Sequence, residues 1–222
     1  MTMVFWLLLV VAYFVGSFPT GNVLARLLKG VDLRTYGSRT VGTSNAGQLL
    51  GKKAIVIVGV IDALKGAVPV WTAQALGLSA GNQIAVGAAA VVGHNWSVFL
   101  GFRGGRGVAT MLGAVFAVSP VQILPYAFVT IAGWLIFKNV PLFMGLSTVL
   151  LPVWAFVLRE DPAYALGMLA MAVIVFAKRL MANDLPTANR GSVLLYRFLY
   201  DRDVRDRDQW VRRGEQRSKP TA

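Results

Sequence analysis

Of 222 residues, 56% are hydrophobic and only 14% charged, with one histidine, no cysteine and a formal net charge of +12. Mean hydropathy is +0.60. These values exclude a soluble domain, disulfide or thiol chemistry and most histidine metal clusters, and apolar runs of spanning length recur along one polytopic membrane domain.

The charges are grouped. Lys and Arg gather in alternate connectors, so that 20 of the 22 fall on one side of a seven-span reading. That is the positive-inside pattern, and the basicity marks a cytoplasmic face against anionic lipid head groups, not a nucleic-acid surface. The N-terminal MTMVFWLLLVVAYFVGSF lacks a basic n-region and a small-residue cleavage signature, so it reads as a retained span and not a signal peptide.

Span 1 covers about 3–25 and is broken at its inner half by Gly16, Ser17, Pro19 and Gly21. Such breaks persist in membranes only where protein or a polar cavity satisfies the freed backbone groups. Residues 26–53 form a connector dense in Gly, Ser, Thr and Asn, with Arg26, Lys29, Arg34 and Arg39 interleaved. It reads either as a flexible loop or as backbone folded closely around a polar ligand, which small hydroxyl and amide side chains suit.

Span 2, about 54–76, carries Asp62 and Lys65. At i,i+3 they share a helix face as a self-compensating pair, and ionisable groups at membrane depth cost ~2.5–3.5 kcal/mol each, so the pair is expected to support a site. Span 3, about 82–101, places His94 roughly 13 Å inward of Arg103 at ~1.5 Å per residue, a depth that Asp62 shares.

The stretch FRGGRGVAT at 102–110 joins span 3 to span 4. Gly104, Gly105 and Gly107 let amides converge as a helix begins, and Arg103 and Arg106 add forked donors, an arrangement suited to phosphate. It is not a P-loop, because no Gly-Lys-Ser/Thr follows. An ordinary turn whose arginines only fix orientation is the other reading.

Span 4, about 107–118, is short and ends at Ser119-Pro120; spans 5, 6 and 7 follow at 121–137, 140–158 and 162–177, and Lys178-Arg179 returns the chain inside. Asp161 suits an N-cap and Pro162 the first helical position. The expected fold is an all-α bundle of seven transmembrane helices over residues 1–180, N-terminus outside and C-terminus cytoplasmic. Residues 181–222 form a basic tail, read as an amphipathic surface helix or a solvated segment.

The candidate binding features all lie on the cytoplasmic side and are basic and amide-rich, which fits a phosphorylated small molecule. No acidic cluster for magnesium and no thiol nucleophile are present, so chemistry would rest on positioning and charge stabilisation of a substrate carrying its own leaving group.

GSFPTGNVLARLLKGVDLRTYGSRTVGTSNAGQLLGKK, DALKGAVPV and GHNWSVFLGFRGGRGVAT followed by Ser119-Pro120, in this order, resemble the bacterial integral membrane acyl-phosphate:glycerol-3-phosphate acyltransferases over about 13–180. The resemblance implies seven spans in the cell membrane and a cytoplasmic-side active site. It also implies acyl transfer from acyl phosphate to glycerol 3-phosphate, giving lysophosphatidic acid and phosphate without a metal or cofactor; a monomer is favoured. It carries Ser38, Arg106 and His94 as catalytic residues, and Arg39, Gly42, Asn45, Gly104, Gly105, Gly107 and Thr110 as substrate or phosphate contacts, with Asp62 and Lys65 in support. The pattern departs at Gln48, where an arginine is expected and Arg39 is a substitute, and at Val173 and Phe176, where a histidine and an asparagine are expected. A paralogue with lost or altered chemistry that binds lipid phosphates is the alternative. A transporter is the third reading, against which the outer halves of the spans offer no ionisable residues to line a path.

Overall fold

A computed structural model describes residues 2–183 and 189–206. Ten α-helices follow in order: α1 (Thr2–Ser17), α2 (Thr20–Lys29), α3 (Thr43–Leu50), α4 (Lys52–Ala75), α5 (Ala80–Asn95), α6 (Val108–Val118), α7 (Ile123–Phe137), α8 (Val140–Val157), α9 (Pro162–Met181) and α10 (Arg190–Tyr200). Among the described residues six helical segments are long and apolar enough to cross a membrane, with Thr2–Lys29 taken as one. The fourth apolar segment, α6, has 11 residues, about 16 Å or roughly half a hydrocarbon core. It is largely buried between neighbours, so its backbone needs no lipid-spanning length of its own.

Small residues set the packing. Gly66 of α4 lies against the Thr110 carbonyl of α6, and Gly113 of α6 against the Ala63 carbonyl of α4; a side chain at either glycine would overlap the opposing backbone. Gly16 and Gly93 do the same between α1 and α5. Such approach is how helices associate where lipid leaves no hydrophobic drive between them. Val56, Phe128, Ile136 and Phe156 project outward, as lipid-facing positions should.

The break expected in span 1 falls between α1 and α2, at Phe18-Pro19, and protein satisfies it. The Lys65 ammonium donates to the Phe18 carbonyl at 2.6 Å, and the Ser97 hydroxyl donates to the Ser17 carbonyl at 2.5 Å. At the opposite end of the bundle Ser119, which caps the end of α6, and Gln122, in the 3-10 turn that follows, donate to the Glu160 carboxylate before α9. The Asp161 carboxylate accepts from the Ala163 amide at 2.8 Å, the N-cap expected there, with Pro162 first in the helix.

Candidate active site

The connector between α2 and α4 is folded, and Asn45 on α3 organises it. Its amide nitrogen donates to the carbonyls of Leu33 (3.2 Å), Tyr36 (3.0 Å) and Thr40 (2.7 Å). Its carbonyl oxygen accepts from the Ser38 amide at 3.2 Å. Asn45 is thus buried and engaged within the loop, where the sequence suggests a phosphate contact. Gly37 and Arg39 take left-handed backbone, turning Ser38 so that its hydroxyl meets Thr40 at 2.9 Å. Gly42 sits before the first residue of α3, with no side-chain cap on that terminus. At the loop's start Asp32 accepts from Arg26 at 2.5 Å and from Arg34 at 2.7 Å. The hydrogen bonds from Arg34, more than those from Arg26, hold the Asp32 carboxyl well below the usual carboxylate range. Gln48 is exposed on α3.

The glycine-rich loop clasps the end of α5. Gly104 and Gly105 donate their amides to the carbonyls of Asn95 (3.2 Å) and His94 (3.1 Å), so these two amides do not form an open nest. The Nε2 edge of the His94 imidazole meets Gly105, where any side chain would overlap it, and its Nδ1 stands 3.9 Å from Asp62 Oδ1. Asp62 pairs with Lys65 at 2.5 Å. The i,i+3 pair and the depth shared by Asp62 and His94 are therefore realised as one buried polar layer beneath the loop.

Gly107, in left-handed backbone, precedes α6 and leaves that helix start without a side-chain cap. Beside it, the Asn95 side-chain oxygen and nitrogen and the Thr110 hydroxyl are buried and have no hydrogen-bond partner among the described residues. Uncapped amides, a helix dipole and orphaned polar groups make this corner receptive to an anion.

An open cleft of about 160 Å³ lies alongside, lined by Trp96, Phe102, Arg103, Lys178, Met181, Ala182 and Asn183. Lys178, in the last turn of α9, sets its ammonium 5.4 Å from the centre of the Trp96 ring and donates to Asn183 Oδ1 at 3.0 Å. The Asn183 amide donates in turn to the carbonyls of Arg39 (2.8 Å) and Gly104 (3.4 Å). One side chain thereby joins the folded connector, the glycine loop and the end of α9. Arg106 does not line the cleft. Its Nη1 donates to the Lys178 carbonyl at 3.2 Å, and its Nε stands 2.7 Å from Asp201 Oδ1 as an ion pair without aligned hydrogen-bond geometry.

So the structure brings Arg39, the glycine loop and Arg106 to one end of the bundle, with His94, Asp62 and Lys65 enclosed below. Lys178, Asn183 and Asp201 were missed as site residues, since Lys178 read as a topology marker. The available signal was a lysine closing a span with an asparagine five residues on. Val173 is 61% exposed and faces outward, and Phe176 packs against the Phe198 ring, so neither position faces the cleft.

Residues 6–183 match the family model described as Glycerol-3-phosphate acyltransferase. Glycerol-3-phosphate acyltransferase 5 of Dehalococcoides mccartyi is 37% identical over 224 residues, covering 96% of this chain and 95% of that protein. The crystal structure of PlsY, an integral membrane glycerol 3-phosphate acyltransferase, in its glycerol 3-phosphate form superposes with a TM-score of 0.74 at 36% identity, covering 79% of this chain and 88% of that one. Its lysophosphatidic acid form gives a TM-score of 0.74 at 32% identity over 89% of this chain and 97% of that one.

Proposed function

Because the chain belongs to the glycerol-3-phosphate acyltransferase family, it is an acyltransferase that acylates glycerol 3-phosphate in phospholipid synthesis, and we propose that acyl phosphate is its donor. The observation that carries this reading is the meeting of Arg103, Lys178 and Asn183 in one cleft beside Arg106 and the uncapped start of α6. Two phosphate-bearing substrates need such a density of cations and amide donors, and an acyl phosphate brings its own leaving group.

A glycerol hydroxyl oxygen attacks the acyl carbonyl carbon, forming the ester bond. The bond from that carbon to the phosphate oxygen breaks, its electron pair leaving with inorganic phosphate, and the hydroxyl proton passes to a phosphate oxygen. Lys178 and Arg103 stabilise the leaving phosphate, while Arg106 with the α6 start (Gly107, Thr110) holds the phosphate of glycerol 3-phosphate. Ser38 and Arg39 are assigned to substrate contact from the connector, and Gly42 and Asn45 keep that connector folded. His94, enclosed between Gly105 and Asp62, positions the loop and does not act as a base.

The same proposal puts the basic end carrying this site at the cytoplasmic face of a bacterial cell membrane, with α6 added to the six longer segments as the half-length fourth of seven and the N-terminus outside; the charge asymmetry supports it. A working monomer is part of the same proposal. The test is a donor comparison. Protein reconstituted in lipid with glycerol 3-phosphate should yield lysophosphatidic acid and phosphate in equal amounts from acyl phosphate, and no product from acyl coenzyme A or acyl carrier protein. Turnover with a thioester, and none with acyl phosphate, would overturn the assigned donor.

A further inference from the structure

The tail lies past residue 183, where the family match ends, yet the likeness to the Dehalococcoides protein covers nearly the whole chain and so runs into it. The described part of this tail is docked, not merely basic. Arg197, buried on α10, donates to the carbonyls of Leu180 (2.9 Å) and Met181 (3.2 Å) at the end of α9 and pairs with Asp203 at 2.6 Å. Phe198 packs at a tilt against Phe176 with ring centres 4.9 Å apart, and its carbonyl accepts from Arg179 Nη1 at 3.0 Å.

These contacts deliver one carboxylate to a corner of cations. Asp201, which ends α10 in left-handed backbone, stands 2.7 Å from Arg106 Nε and 3.9 Å from Arg179 Nε. Arg106 in turn bonds the carbonyl of Lys178, whose ammonium reaches the cleft. Guanidinium and ammonium groups gathered this closely, partly out of water, repel one another unless a counter-charge is present. Asp201 supplies it, and with the Lys178 carbonyl it fixes two edges of the Arg106 fork.

We propose that Asp201 is a positioning residue of the acyltransferase site: the docked tail uses it to hold Arg106 of the glycine-rich loop in the orientation that receives the phosphate of glycerol 3-phosphate. This rests on the reading of Arg106 as a phosphate-holding group. The family core thus gains, from a segment outside it, one element of its substrate site.

The experiment measures kcat and KM for glycerol 3-phosphate with acyl phosphate on the full chain in lipid. The variants are Asp201→Asn, Asp201→Glu, Arg106→Ala, Arg106→Lys and the double change Asp201→Asn with Arg106→Lys. Asp201→Asn should raise KM about 10-fold with kcat within about 2-fold, at an unchanged unfolding temperature. Asp201→Glu should recover most of the loss. In the Arg106→Lys background, which lacks the Nε edge, Asp201→Asn should add less than about 2-fold. An unchanged KM in Asp201→Asn, or the same rise whether residue 106 is Arg or Lys, overturns the role of Asp201 alone. An unchanged KM in Arg106→Ala overturns the phosphate-holding reading of Arg106, and the inference with it.

Discussion

At residue scale, the most consequential side chains near the cleft act by holding backbone. Asn45 satisfies three loop carbonyls with one amide, so Asn45→Ala leaves buried acceptors without donors, at about 1–3 kcal/mol each. The expected outcome is an unfolding temperature lower by roughly 5–10 °C together with reduced turnover. An unchanged melt would show that water replaces the amide. Asp32 makes a pH-dependent contribution of defined sign. Its carboxyl is depressed by Arg34 and Arg26 in the folded loop, so its stabilisation is complete above the unfolded value of about 4 and is lost as pH falls toward the folded one. Asp32→Asn should therefore flatten the acid limb of a plot of Tm against pH below about 4. The same limb in both proteins would refute the assignment. Gly105→Ala forces a methyl group into the His94 ring, and turnover should fall at least about 10-fold as the loop shifts.

At the scale of elements, the break between α1 and α2 shows what the buried ion pair does. Lys65 joins Asp62 to the freed Phe18 carbonyl, tying α4 to the end of α1. Lys65→Met strands a buried carboxylate and should cost about 3–5 kcal/mol, while Lys65→Met with Asp62→Asn should recover most of that loss. Thermal unfolding of the single and double variants checks this, and equal destabilisation of both would contradict the pairing. Much of this layer was legible beforehand, because helical spacing fixes i,i+3 neighbours and residues at equal depth. The interrupted span, the Asp161 cap and the glycine loop were legible for the same local reasons. The asparagine that joins three elements was not. Asn183 lies 144 residues from Arg39 and 79 from Gly104, and no periodicity records a partner at such a distance. The expected open amide nest failed for a nearer reason, since the carbonyls that engage Gly104 and Gly105 are those left free at the C-terminal end of α5, a few residues back in the chain.

At the scale of the molecule, the charge asymmetry and the site agree, because the cleft opens at the end where Lys and Arg collect. A chain without cysteine lets that orientation be read directly. An impermeant thiol reagent should label Arg159→Cys on intact cells, and Lys29→Cys only after permeabilisation. The reverse pattern would invert the topology. The central claim is that glycerol 3-phosphate is acylated in the cleft that Lys178 and Asn183 build with the glycine loop. The measurement that reaches it most directly is formation of lysophosphatidic acid and phosphate from acyl phosphate by the protein in lipid, with Lys178→Ala and Glu160→Gln beside it. The expected result is turnover in the parent, a loss of at least about 10-fold in folded Lys178→Ala, and near-parent turnover in Glu160→Gln at the opposite end. Equal turnover in parent and Lys178→Ala, or none in folded parent, would contradict the account.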